Sequence, residues 1–175
     1  MKNMEITIRP ALAADLAVVA AVHIQSWLET YPGIMPQERL DALNHEASLR
    51  NWQRTLDSQS QFFVAEVDAV LCGFAAGGEN RMCEGCDTGL ANACSAELAA
   101  MYVLKKYHGR GVGKALFATF SSCMQAQGHK DLVAWVAAKN PACGFYARIG
   151  GEAIDSRVMI VMGKAVPLIA YRYQL

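Results

Sequence analysis

The stretch His108-Gly109-Arg110-Gly111-Val112-Gly113-Lys114 constrains this chain more than any other, because it lies between an apolar, strand-like run and an amphipathic, helix-like one. Its glycines at 109, 111 and 113 let backbone amides approach a ligand closely. The helix that follows adds the partial positive charge of its N-terminus, so the turn suits a pyrophosphate. Two other phosphate motifs do not fit. A P-loop requires Gly where His108 stands and Ser or Thr where Ala115 stands. The dinucleotide fingerprint requires Gly where Lys114 stands. A glycine-rich turn without a ligand is the alternative reading.

Periodicity on either side of the turn predicts a mixed α/β sheet. Glu5–Arg9 alternates and reads as a strand ending before Pro10, and Ala13–Thr30 repeats apolar residues at helical spacing up to Tyr31-Pro32-Gly33. Pro36–Leu43 and Glu46–Leu56 read as short helices. Phe62–Glu66 and Val70–Ala76 read as strands joined by a tight turn at Val67-Asp68-Ala69. After a polar connection, Gly77–Ala93, comes a strand over Ser95–Leu104. The helix beyond the glycine turn runs to Gln127 and buries Val112, Leu116, Phe120, Cys123 and Met124. Leu132–Val136 is the next strand, and Asn140-Pro141 opens a helix by capping, which Gly150-Gly151 ends. Strands over Ala153–Met162 and Val166–Tyr173 close the chain. No repeat or linker divides it, so residues 1–175 are expected to form one domain.

With 53% hydrophobic and 18% charged residues among 175, the chain can bury a substantial core. Sixteen basic residues balance sixteen acidic ones, which argues against a protein held on nucleic acid by phosphate neutralisation. No run is long and apolar enough to span a bilayer, and no secretory signal is evident. Six cysteines without such a signal read as reduced thiols. A cytoplasmic protein without nucleic-acid or membrane partners is therefore expected.

With the pattern Arg/Gln-x-x-Gly-x-Gly/Ala falling on His108, Gly111 and Gly113, the chain resembles the GNAT superfamily of acetyl-CoA-dependent N-acetyltransferases. His108 departs from the usual first residue. The preceding Leu98–Val103 is similar to the family strand whose backbone pairs with the pantetheine arm, and Asn140…Phe145-Tyr146 is similar to its late Asn…Phe-Tyr element. The resemblance covers residues 5–173 and implies the GNAT fold: a central, mostly antiparallel, splayed sheet flanked by helices. It implies acetyl-CoA as co-substrate, held by Met101, Tyr102 and Val103 through their backbone, by His108, Gly109, Arg110, Gly111, Val112, Gly113 and Lys114, and by Asn140 and Tyr146. No metal is expected. A homodimer is an analogy with the family.

Transfer of an acetyl group from a thioester to an amine needs a base, because an amine with a pKa of about 10 is protonated at neutral pH. Glu97 is the one acid of an apolar strand and lies eleven residues before His108, the spacing of the catalytic glutamate in some family members. Its alternative role is a carboxylate bonded to backbone at the edge of the core. Tyr146 matches the family's general acid for the coenzyme thiolate, with packing beside Phe145 as its alternative. Direct transfer to the primary amine of a small molecule or peptide is expected, with no cysteine essential.

His23, Trp27 and Tyr31 share a helix face and either line the acceptor pocket or pack in the core. Glu29, Glu79 and Glu84 are further candidates for holding an ammonium. Two rival functions stand beside the transferase. One is a non-catalytic acyl-CoA sensor; the other is a zinc- or redox-regulated module built on Cys83, Cys86 and Cys94.

Overall fold

A computed structural model describes residues 4–80 and 90–175. The first segment is β1 (Ile6–Pro10), α1 (Leu16–Thr30), α2 (Gln37–Asp41), α3 (His45–Asp57), β2 (Gln61–Val67) and β3 (Val70–Glu79). The second is β4 (Ala96–Val103), α4 (Val112–Ala126), β5 (Asp131–Ala137), α5 (Ala142–Arg148), β6 (Glu152–Val161) and β7 (Lys164–Gln174). The strands form one seven-stranded sheet in the order β1-β2-β3-β4-β5-β7-β6. It is the mixed sheet that the periodicity predicts, and mostly antiparallel as the GNAT resemblance implies. The polar connection expected from Gly77 starts later, because β3 continues to Glu79.

The two faces of the sheet are covered by different helices. Val112, Leu116, Phe117, Phe120 and Met124 of α4 pack with Phe63, Ala75, Leu98 and Leu132 on one face, and Tyr146 of α5 joins them. Cys123, expected in that stripe, is only half-buried. Leu16, Val19 and Ala20 of α1 and Trp52 of α3 pack with Val64 and Phe74 on the other face. Local signals anchor the ends of these helices. Asp15 accepts from the Leu12 amide at 2.8 Å and pairs with Arg9, whose guanidinium holds the Asp15 carboxyl below the usual carboxylate range. Asn44 caps α3 by accepting from the Ala47 amide at 3.0 Å.

Between β4 and β5 the sheet opens. They are its one parallel pair among the described residues, and only Ala96↔Leu132 and Glu97↔Val133 are in register. Of the remaining six residues of β4, Leu98–Val103, five keep partners on β3 and none has one on β5. A bulge adds to the divergence: Ala76 opposes Ala100 while Gly77 opposes Leu98, leaving Ala99 unmatched. The result is a cleft in the sheet, flanked by backbone N–H and C=O groups that no strand satisfies.

The tight turn between β2 and β3 carries strain. Asp68 and Ala69 have φ of +50° and +65°, a left-handed pair that suits a two-residue hairpin but favours glycine. Ala69→Gly is expected to stabilise the fold by about 1 kcal/mol, read as a melting temperature raised by about 3 °C. An unchanged or lower melting temperature would contradict the strain.

Candidate active site

The glycine turn reaches the mouth of the cleft at the end of β4. Gly109 and Gly111 have φ of +72° and +88°, and Gly111 stands as the N-cap of α4 with no side chain capping the helix. The first intrahelical bond is donated by Ala115 to the Gly111 carbonyl. Among the described residues, the amides of Gly109 to Lys114 therefore have no protein acceptor. These free donors, with the helix dipole behind them, make a cradle for a phosphate oxyanion. Lys105, Lys106, Arg110 and Lys114 are exposed around it, and Lys106 and Arg110 lie over the Tyr107 ring at 5.1 and 5.8 Å. His108 turns its side chain back to the strand. Its Nε2 is 2.8 Å from the Val103 carbonyl, which can only accept, so Nε2–H donates and pins the turn to β4.

On the sheet face opposite α4, the side chains beside the cleft are aromatic. Trp27 Nε1 donates to the Tyr102 hydroxyl at 3.1 Å, and the Trp27 and Tyr31 rings pack at 4.6 Å between centres, tilted by 46°. The Tyr31 phenol lies close to both Tyr102 and Asn140. Only the Trp27–Tyr102 contact is a full hydrogen bond. This cluster links α1 to the start of α5, where Asn140 Oδ1 accepts from the Ala142 amide at 2.9 Å and caps the helix. His23 has a different environment. It packs against Trp27, Trp52 and Tyr102, Nδ1 contacts the Ser48 hydroxyl at 2.9 Å, and burial pushes its pKa down to about 4. The ring is therefore neutral at physiological pH and belongs to the packing between α1 and α3.

Glu97 sits at the last paired position before β4 and β5 separate. It is half-buried, and loss of solvent raises its pKa above the usual carboxylate value, with the charge of Arg157 opposing the rise. A carboxylate in such a setting is a stronger base than one in water. Tyr146 is 7% exposed, and burial keeps its phenol protonated well beyond neutral pH. Its ring lies parallel to Tyr171 at 6.0 Å and edge-on to Phe145 at 5.3 Å. Gly113 comes close to this helix: a Cβ there would meet Phe145 at 3.4 Å.

Three residues of this face escaped the sequence reading. Trp135 of β5 is half-buried on the Glu97 side, the Arg157 guanidinium of β6 lies over its ring at 4.2 Å, and that of Arg39 on α2 lies over Trp27 at 4.9 Å. A lone Trp among the small apolar residues of β5 was the available signal. Of the cysteines considered for a metal, Cys83 and Cys86 lie outside the described residues, as does Glu84. Cys94 is buried, and burial raises its pKa to about 11, which disfavours the thiolate that zinc binding needs. Cavity size does not locate the site: a cavity of about 410 Å³ lies elsewhere, between Phe117 and the Glu152–Arg172 ion pair.

A split sheet with unpaired backbone beside a cradle of free amides defines a transferase class whose acyl carrier bears phosphates. Residues 58–150 match the acetyltransferase (GNAT) domain family, and the chain belongs to that family of acetyl-CoA-dependent enzymes. It is 29% identical over 150 residues to YuaI of Bacillus subtilis, described as an uncharacterized N-acetyltransferase, with 85% of this chain and 82% of that one covered. Its fold matches the GCN5-related N-acetyltransferase of Rhodopseudomonas palustris with a TM-score of 0.75 at 21% identity, over 100% and 99% of the two chains. It also matches the PaiA N-acetyltransferase of Thermoplasma acidophilum in complex with coenzyme A, with a TM-score of 0.70 at 23% identity, over 97% and 100%.

Proposed function

We propose that this protein moves an acetyl group from acetyl-CoA directly to the primary amine of a small molecule or peptide, using Glu97 as base and Tyr146 as acid. The observation that carries the reading is the juxtaposition of the Leu98–Val103 backbone, which has no strand partner on its β5 side, with the free amides of Gly109 to Lys114. The first offers main-chain partners to the amides of a pantetheine arm, and the second offers donors to a pyrophosphate. Bound there, acetyl-CoA supplies an activated thioester carbonyl.

The remaining work falls to the protein. Glu97, kept basic by partial burial, takes a proton from the acceptor ammonium directly or through one water. Backbone amides of β4 in the cleft are donors for the oxyanion that develops on the carbonyl. Tyr146 holds the proton that a departing thiolate of pKa about 8.5 takes up. Asn140 holds the start of α5, and so places Tyr146. None of these steps needs a cysteine. Cys143, nearest Tyr146 in sequence, donates its thiol proton to the Ala137 carbonyl at 3.4 Å.

Calorimetry with acetyl-CoA, followed by coenzyme A release over a library of amines, tests the reading. Heat of binding and amine-dependent release are expected. Binding without release for any amine would favour a coenzyme sensor, and no binding would end the transferase reading.

A further inference from the structure

The acceptor side of the cleft carries two guanidinium groups that the proposed chemistry does not use. The Arg157 guanidinium carbon lies 4.2 Å from the Trp135 ring centre and that of Arg39 lies 4.9 Å from the Trp27 ring centre, and neither has a carboxylate within ion-pair distance among the described residues. Arg9, Arg50 and Arg172 are each ion-paired. A guanidinium stacked on an indole keeps its in-plane N–H donors free for a planar anion while its face is already desolvated. Trp27, Tyr31, Ile34 and Trp135 all pack against the cluster of Met35, Leu40, Ala137, Val166 and Leu168, so both cations lie at the edge of one apolar cluster. Lys139 and Lys164 flank a recess of about 40 Å³ beside Ile34, adding positive charge to that rim. Glu29 of α1 is already engaged, by the Lys105 amide at 2.9 Å and the Gln25 side chain at 2.9 Å.

The sheet register puts the base and the indole that carries Arg157 on one face of the sheet. Glu97 pairs with Val133, and Trp135 is two residues further along β5 on the same face, so the Glu97 and Trp135 Cα atoms are about 8 Å apart.

Resting on the transferase reading above, we propose that the acceptor is an α-amino acid or close analogue, its amine at Glu97 and its carboxylate held by Arg157 on Trp135, with Arg39 at Trp27 as a second anion contact. A peptide N-terminus or a polyamine lacks the carboxylate beside the amine and leaves Arg157 without a partner.

The test measures binding and turnover separately. Calorimetry on the protein saturated with coenzyme A compares free α-amino acids with their carboxamides and decarboxylated amines, and kcat/KM is measured for the same pairs. At least a tenfold preference for the carboxylate form is expected in both. Arg157→Met should abolish it without weakening coenzyme A binding, and Arg157→Lys should restore part of it. Arg39→Met is a second variant with intact Arg157 and should lower the preference. Equal or tighter binding of the uncharged or polycationic amines would overturn the proposal, as would a preference that survives Arg157→Met. The two readings fail separately. Carboxylate-dependent binding that Arg157→Met removes, in a protein that releases no coenzyme A, would sink the transferase and keep the acceptor site. Turnover confined to amines lacking a carboxylate would do the reverse.

Discussion

Glu97→Gln is expected to lower kcat on the order of 10²–10³-fold, since the amide keeps the shape of the carboxylate but cannot accept the ammonium proton. The KM for acetyl-CoA should hardly move, because the coenzyme groups lie beyond Glu97 on β4 and in the turn. The pH profile separates loss of a base from mere disturbance. Burial raises the Glu97 pKa, so the acid limb of the wild-type rate should lie above the ordinary carboxylate range, and the limb should vanish in the variant. Stability should change in the opposite sense. A group with a raised folded-state pKa favours the fold when protonated, and that advantage is lost as pH rises through the folded value. Above that value the wild type therefore carries a half-buried ionised carboxylate that the amide avoids. Glu97→Gln should melt higher than wild type there, with the difference closing in acid. A variant with full activity and an unchanged acid limb would remove Glu97 from the chemistry.

Glu97 was legible in the sequence because it is a charge in an otherwise apolar strand, and the glycine turn because its residues and its position between strand and helix are local features. The helix faces were legible for the same reason: four-residue spacing in α4 marks Val112, Leu116, Phe120 and Met124 as core without tertiary information. What could not be read was everything that depends on strand pairing. The separation of β4 from β5 after two register pairs follows from a bulge opposite Gly77 and from a parallel pair formed across an intervening helix. Neither has a local signature. Tyr102 reads as one more residue of an apolar strand, yet the bulge at Ala99 breaks the alternation and turns its side chain to the α1 face, opposite to Leu98, where Trp27 reaches it. Arg39 and Arg157 come from α2 and β6, far apart in sequence. Each reads as a solvated charge until the fold lays it on a tryptophan.

Gly77→Ala is expected to destabilise the fold by at least about 3 kcal/mol, a fall in melting temperature of about 10 °C for a chain of this size. A Cβ at this position would collide with the Glu97 carbonyl oxygen and stand 2.8 Å from Phe120 Cζ and 3.0 Å from the Ala99 amide. Two of these contacts are backbone, so no rotamer change relieves them. The strain would have to be met by pushing β3 away from β4 at the bulge, where the register places Glu97 beside the cleft. Gly78→Ala is the control. Its Cβ would meet only the Ser60 Cα at 3.7 Å, an ordinary contact, although Gly78 is the residue that pairs with Glu97. The control should melt within about 1 kcal/mol of wild type and keep its rate. If Gly77→Ala behaved like Gly78→Ala, the close approach of β3 to β4 would not be what sets Glu97 at the cleft. If it unfolded less than expected but lost kcat, the strand would have moved and taken the carboxylate with it. The same glycine therefore reports on packing through the melt and on placement of the base through the rate.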